Sequence, residues 1–375
     1  MKLTINREQL LYGLTTVARA INDKHPIPVL RNVKLEVNER GLSVIGSNNE
    51  LIIEHVVPFK IDSQVVIRNS QEGVTLVSSR LLTDIVRKLE GRDVTIEVID
   101  STLVQVDDGR SNFRLNSINP EDYPDVDLEK IGESFVITGG DFANLVDQTA
   151  FAASTREVRP TLTAVNLTAR DNELVGIATD SFRMAKKVVK LQESAEFKVN
   201  VPAKILTEIA RLVQDEQEVE IHVTDKKALF YFNATTVSSR LISGEYPSIE
   251  NIIPDHYDYF LEANADELLR AMDRVSLLTT NERESVVKLT MSEEGGVQLS
   301  TRSLQTGSAI ESLNTCQFTG ERLEISFNSN FVSAAVRACK SQDVIIGFVG
   351  EMKPFSVRNV ADNTHIQIVT PVRTY

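Results

Sequence analysis

The same run of secondary-structure signals occurs three times along this 375-residue chain, and that repetition limits the fold more than any other feature. The segments INREQLLYGL (from Ile5), ITGGDFANLV (from Ile137) and ANADELLRAM (from Ala263) each join a short extended lead-in to a polar turn and then to apolar residues at helical spacing. An alternating strand follows in each copy: NVKLEVN from Asn32, AVNLTAR from Ala164 and VVKLTMS from Val286. After a turn comes a second strand: GLSVIGS from Gly41, ELVGIAT from Glu173 and GVQLSTR from Gly296. A further apolar stretch closes each half-unit.

The second half of each copy repeats this plan. A strand runs into a helix in VTLVSSRLLTDIVRKLEG from Val74, FKVNVPAKILTEIARLVQ from Phe197 and LEISFNSNFVSAAVRACK from Leu323. Three strands follow, as in DVTIEVID, TLVQVDD and NFRLNSI of the first copy. A Tyr-Pro boundary also recurs, as EDYPDV around Tyr123 and GEYPSI around Tyr246. The pattern predicts an α+β chain of three tandem repeats, spanning 1–128, 129–254 and 255–375. Each repeat holds two helices and about eight strands, and the short connections call for antiparallel sheets with helices on one face. The six helices are expected over 7–19, 78–90, 139–152, 202–213, 265–277 and 329–340.

Helices of that length are about 20 Å long. Set side by side about 10 Å apart, six would close a circle of axes about 19 Å across, with a hole of only about 9 Å. Twelve would give axes on a circle of about 38 Å and a hole of about 28 Å, wide enough for a duplex nucleic acid. A head-to-tail pair of chains therefore suits that role and a closed single chain does not. The formal charge of −13 demands that base and acid be segregated in any such ring. Of 40 basic and 53 acidic residues, 11 and 9 fall in the six expected helices, leaving 29 and 44 elsewhere.

Several function classes lack their signatures. The sequence has no GxxxxGK[ST], GxGxxG, GxSxG or HExxH, and His25, His55, His222, His256 and His365 are scattered without partners at ligand or triad spacing. The carboxylate pairs Asp107–Asp108 and Glu293–Glu294 fall in turn-like segments, where solvated loops are the expectation. Cys316 and Cys339 read as two reduced, buried thiols. MKLTINREQLL carries charge where a leader's apolar segment would sit, and no apolar run reaches the roughly 20 residues of a membrane span. A cytoplasmic, non-enzymatic protein without a cofactor or metal is expected. A tandem-repeat α+β enzyme with its site between repeats stays open as the alternative.

Five segments carry a resemblance: MKLTINREQLL, PIPVLRNVKLEV from Pro26, RPTLTAVNL from Arg159, ATDSFRMA from Ala178 and IVTPVR from Ile368. On these, over essentially its full length, the chain resembles the bacterial DNA sliding clamps, the beta subunits of DNA polymerase III. The resemblance implies a processivity factor, a homodimeric ring that encircles and slides on duplex DNA without reading its sequence. Its implied partners are a replicative DNA polymerase, a clamp loader, and repair and mismatch proteins carrying clamp-binding peptides. It also implies a peptide pocket at Leu162, Thr179, Ser181, Phe182, Arg183, Met184, Pro247, Ile252, Phe331, Pro354, Ile368, Thr370, Pro371, Val372 and Arg373. The chemistry suits this, because an apolar cleft holds a hydrophobic anchor and two arginines can hold carbonyls or a carboxylate. The implied DNA contacts are Lys24, Arg80, Arg156, Arg159, Pro160 and Thr161, and cations that touch phosphate alone permit sliding. The implied dimer contact joins the strand around Phe113 and Leu115 to the helix carrying Leu277 and Leu278. A diverged copy that binds partner peptides but has no replicative role is the nearer alternative.

Overall fold

The structure is a computed structural model that describes residues 1–249, 252–279, 285–292 and 296–373. The first repeat runs β1 (Lys2–Asn6), α1 (Arg7–Val17), β2 (Asn32–Asn38), β3 (Gly41–Ser47), β4 (Leu51–Val57), the short β5 (Lys60–Ile61) and β6 (Gln64–Val65), then β7 (Ile67–Gln71), β8 (Gly73–Ser78), α2 (Ser79–Lys88), β9 (Asp93–Asp100), β10 (Leu103–Asp107) and β11 (Asn112–Ile118). The second runs β12 (Glu133–Thr138), α3 (Gly139–Asp147), β13 (Ala164–Arg170), β14 (Glu173–Thr179), β15 (Arg183–Lys190), β16 (Phe197–Pro202), α4 (Ala203–Ala210), β17 (Glu218–Val223), β18 (Lys227–Phe232) and β19 (Thr235–Arg240). The third runs β20 (Tyr259–Asn264), α5 (Ala265–Ser276), β21 (Val286–Ser292), β22 (Gly296–Ser303), β23 (Gly307–Leu313), β24 (Cys316–Thr319), β25 (Leu323–Asn328), α6 (Ser329–Ala338), β26 (Asp343–Phe348), β27 (Phe355–Asn359) and β28 (His365–Val369).

Helix starts are written in side chains. Asn6 accepts hydrogen bonds from the Glu8 and Gln9 amides, Ser78 from Leu81, Asn264 from Glu267 and Asn328 from Asn330. Each such cap satisfies amides that the first helical turn leaves unbonded. The helix ends fall one to five residues short of the sequence expectation. No glycine marks them, and α1 tightens instead into a 3-10 turn over Ala18–Ala20. Counted over the observed helices, eight basic residues face eight acidic ones. The helices are therefore neutral rather than basic, and the whole acid excess lies off them.

Every strand pairing in the described residues is antiparallel. The sheets do not respect the repeats, however. The last strand of the second repeat, β19, pairs with β4 of the first, from Thr235↔His55 to Ser239↔Leu51. Likewise β28 of the third repeat pairs with β15 of the second, from Arg183↔Val369 to Lys187↔His365. The chain accordingly forms two compact units, Met1–Gly140 with Glu208–Leu241, and Asp141–Thr207 with Ile242–Tyr375. The first unit holds one 13-stranded sheet, and the second holds a nine-stranded and a four-stranded sheet.

In the first unit α1 lays Leu10, Leu14 and Val17 into the core. Gly13 lets that helix approach β3 and β4, because a Cβ there would stand 3.2 Å from the His55 ring and 3.3 Å from Val44. In the second unit α5 and α6 cover a core that includes Leu268, Met272, Val332, Val336, Phe348 and Phe355. Of the two cysteines, Cys339 is buried as expected, whereas Cys316 is only half-buried at the edge strand β24.

Candidate functional site

The turn between β14 and β15 is held by its own side chains. Asp180 Oδ1 accepts from the Phe182 and Arg183 amides, and Asp180 Oδ2 accepts from Arg183 Nε at 3.0 Å. Thr179 Oγ1 donates to the Arg183 carbonyl at 2.6 Å. Ser181 takes a left-handed conformation at φ 79°, which turns the chain sharply and leaves Ser181 and Phe182 exposed. The Arg183 guanidinium lies 4.7 Å from the centre of the Phe331 ring and 5.5 Å from that of Phe151. It is therefore a cation held between rings and a carboxylate, not a free cation at a rim.

The segment after β28 docks on this turn. The Thr370 amide and hydroxyl both donate to the Phe182 carbonyl, at 2.9 and 2.8 Å, and the Val372 amide donates to Ser326 O. Beneath lies an apolar floor: Met184 and Ile368 are cross-strand partners, and Ile249 packs on both. The strap carrying Ile249 is anchored by Tyr246, whose hydroxyl accepts from the Thr179 amide at 2.9 Å. Leu162, Thr179, Met184 and Ile368 are buried, whereas Phe182, Pro247, Ile252 and Arg373 are exposed. Pro371 and Val372 are half-buried, as is Pro354 just before β27. The sequence reading missed three members of this cluster. Asp180, Tyr246 and Ile249 lie within the quoted segments ATDSFRMA and GEYPSI, but nothing in the sequence singled them out as site residues.

The chain has counterparts among known proteins. Models of the DNA polymerase III beta subunit match in order: the N-terminal domain over 1–127, the central domain over 137–248 and the C-terminal domain over 250–373. The chain belongs to this family. It is 33% identical to the beta sliding clamp of Bacillus subtilis and 31% identical to that of Staphylococcus aureus, covering all of each chain. It also superposes on the crystal structure of the Bacillus subtilis DNA polymerase sliding clamp with a TM-score of 0.95, at 32% identity and full coverage of both. The α+β, three-domain clamp fold expected from the repeats is thereby established.

The residues expected at DNA lie on one loop in each unit and, for Arg80, on helix α2. In the first unit Lys24 is exposed in the turn before the 3-10 segment Pro28–Arg31. Arg80, at the start of α2, is 75% exposed and lies within 4.0 Å of Asp23 and Asp84. In the second unit Arg156, Arg159 and Pro160 are exposed ahead of the 3-10 segment Pro160–Thr163, and Thr161 is half-buried. The two loops hold the same place in successive repeats.

The expected dimer residues divide by burial. Phe113 is 39% exposed, but Leu115 is 6% exposed and already sits in its own sheet. Leu277, just past α5, is 80% exposed, and Leu278 is half-buried. Among the described residues, two strands near these side chains leave an edge wholly or partly unpaired. β11 pairs with β10 through Asn112–Asn116 and reaches β8 only at Ser117 and Ile118. β23 ends its four-stranded sheet, with Ile310 71% exposed.

No group of three or more His, Cys, Asp or Glu side chains among the described residues could hold a metal ion. Asp108 serves its loop instead: amides of Ser111, Gly91 and Arg110 donate to it and hold its carboxyl down at about 2. Glu293–Glu294 lies outside the described residues. No helix among the described residues is long and apolar enough to cross a membrane.

Proposed function

We infer that this clamp-family chain works as a processivity factor through a ring of two copies. One observation carries the reading. The junction of β4 with β19 recurs as β15 with β28, so in both cases the outer strand of one repeat's first half meets the last strand of the next repeat's second half. The third such pair would be β23 with β11, and each of these strands has an edge left open among the described residues of one chain. A second copy supplies the missing partner to each edge, by the same antiparallel pairing. The contact thus replaces the helix of Leu277 and Leu278 with β23 as the main partner of the Phe113 strand, and the leucines flank it. Such a contact is heterologous, and it closes after two copies if six repeats complete the circle.

The remaining roles follow from that frame. We place the domain limits at 128/129 and 254/255. Duplex DNA passes through the ring, held by Lys24, Arg80, Arg156 and Arg159 through phosphate, with Pro160 and Thr161 shaping the second loop. The polymerase, the clamp loader and repair proteins dock a short peptide on the floor of Leu162, Thr179, Met184 and Ile368. Pro247 and Ile252 form one wall, Phe331, Pro354 and the segment Thr370–Arg373 the other, and Ser181, Phe182 and Arg183 the turn between them. The clamp acts in the cytoplasm, catalyses no reaction itself and needs no cofactor.

Light scattering with a plasmid-retention assay tests this. A particle of twice 41.7 kDa that stays on circular DNA after loading and slips from linear ends is expected. A monomer, or equal release from circles and linear DNA, overturns the ring.

A further inference from the structure

The sheet face that carries the apolar floor continues into a second cleft. Successive rows of one strand face are about 7 Å apart. The row Thr179–Met184–Ile368 belongs to the candidate pocket, and the next row is Asn166–Ile177–Lys186–Ile366. One row further stand Lys198, Thr168 and Val175. These two rows and the strap Gly244–Ile249 enclose about 720 Å³. The strap cannot fall onto the sheet, because Asn200 holds the Ile242 and Gly244 carbonyls and is itself held by Asn166 at 2.8 Å.

Among the described residues neither Lys186 nor Lys198 has a hydrogen bond or ion pair, and Glu245 is the one acidic side chain lining the cleft. The neighbouring Lys187 shows the contrast, since its ammonium is bound to Asp362 and Thr364 on the opposite face. In the matching cleft of the first repeat, also about 720 Å³, the sheet cations are paired: Lys34 with Glu36 at 3.2 Å and Arg40 with Glu54 at 2.7 Å. In a chain of net charge −13, two free ammonium groups beside an apolar floor form a local site for negative charge.

We propose that this cleft receives an acidic stretch flanking the apolar anchor of a partner peptide, so that Lys186 and Lys198 select among partners by the charge beside the anchor. The proposal rests on the pocket reading above. At about 3.3 Å per extended residue, two residues carry a peptide from the floor to Lys186 and two more to the row of Lys198.

Fluorescence anisotropy with the full chain tests it. The probes are the clamp-binding peptide of its own replicative polymerase, that peptide extended at either end by Asp-Glu-Asp-Glu, and controls extended by Asn-Gln-Asn-Gln. At about 50 mM salt one acidic peptide should bind about three- to tenfold tighter than its amide control, and about 500 mM salt should erase the gain. In the Lys186→Gln, Lys198→Gln double variant the gain should vanish while the control peptide keeps its affinity. Equal affinities of acidic and amide peptides for the unaltered chain overturn the cleft alone. So does a gain that survives in the double variant. If no peptide binds, the pocket reading fails and the cleft proposal falls with it.

Discussion

Lowering the pH from about 8 to about 5 should loosen the first unit through one side chain, His55. Its ring is buried between α1 and the sheet: Nδ1 lies 2.8 Å from Thr235 Oγ1 across the β4–β19 junction, and the ring meets Tyr12 edge-on at 5.0 Å. Burial holds its pKa down at about 4, against 6.5 for a free imidazole. The unfolded chain then binds a proton in a window where the folded chain does not, so the folded form loses stability as pH falls through 6.5 and stops losing it below 4. The full difference is about 3 kcal/mol, and about 2 kcal/mol of it is already lost at pH 5. Hydrogen exchange of the β4 amides reads this directly as an opening free energy. His365 in the second unit is also pushed down by burial and acts with the same sign, so the comparison is made within β4 and against His55→Gln. Glutamine can still bond Thr235 but does not titrate. The unaltered chain should lose about 2 kcal/mol of β4 opening energy between these pH values and the variant little. Equal losses in both would refute the assignment of the proton to His55.

Four further perturbations have expected outcomes. Arg183→Ala removes a cation from Asp180 and Phe331 and should cost about 1–2 kcal/mol in thermal or denaturant stability as well as at least tenfold in partner-peptide affinity. Loss of residues 370–375 should cost the same affinity by freeing the Phe182 carbonyl, and unchanged peptide titrations in both variants would dismiss the pocket. Charge reversal at Arg156 and Arg159 should weaken DNA retention most at low salt and flatten its salt dependence by about one unit of log–log slope per lost phosphate contact; an unaltered slope would remove these residues from the DNA surface. Phe113→Asp or Ile310→Asp should drive the particle towards monomers by light scattering, because either puts charge at an open strand edge, and a persistent dimer in both would exclude the β11–β23 pairing.

What the sequence disclosed depended on whether the information was local. Asn6, Ser78, Asn264 and Asn328 encode helix starts in single side chains, so the starts were legible. The helix ends, which lack comparable residues, were placed too late. Alternation gave the strands but not their neighbours. Nothing in TTVSSR or LIIEHVV indicates that β19 and β4 belong together, since pairing across 180 residues is set by packing and not by either segment. The same division runs through the site. The segments ATDSFRMA and TPVR pointed to the pocket, yet the bond of Arg183 to Asp180 and the hold of Tyr246 on Thr179 depend on how turn and strap lie on the sheet. Lys186 is the clearest case. In sequence it stands beside Lys187, one of two alike cations, and strand alternation sends the pair to opposite faces. One is neutralised by the half-buried Asp362 on the opposite face, and the other is left facing the cleft next to the anchor floor. A charge becomes available for recognition only when the fold gives its neighbours other partners, and a residue-by-residue reading of the sequence cannot supply that.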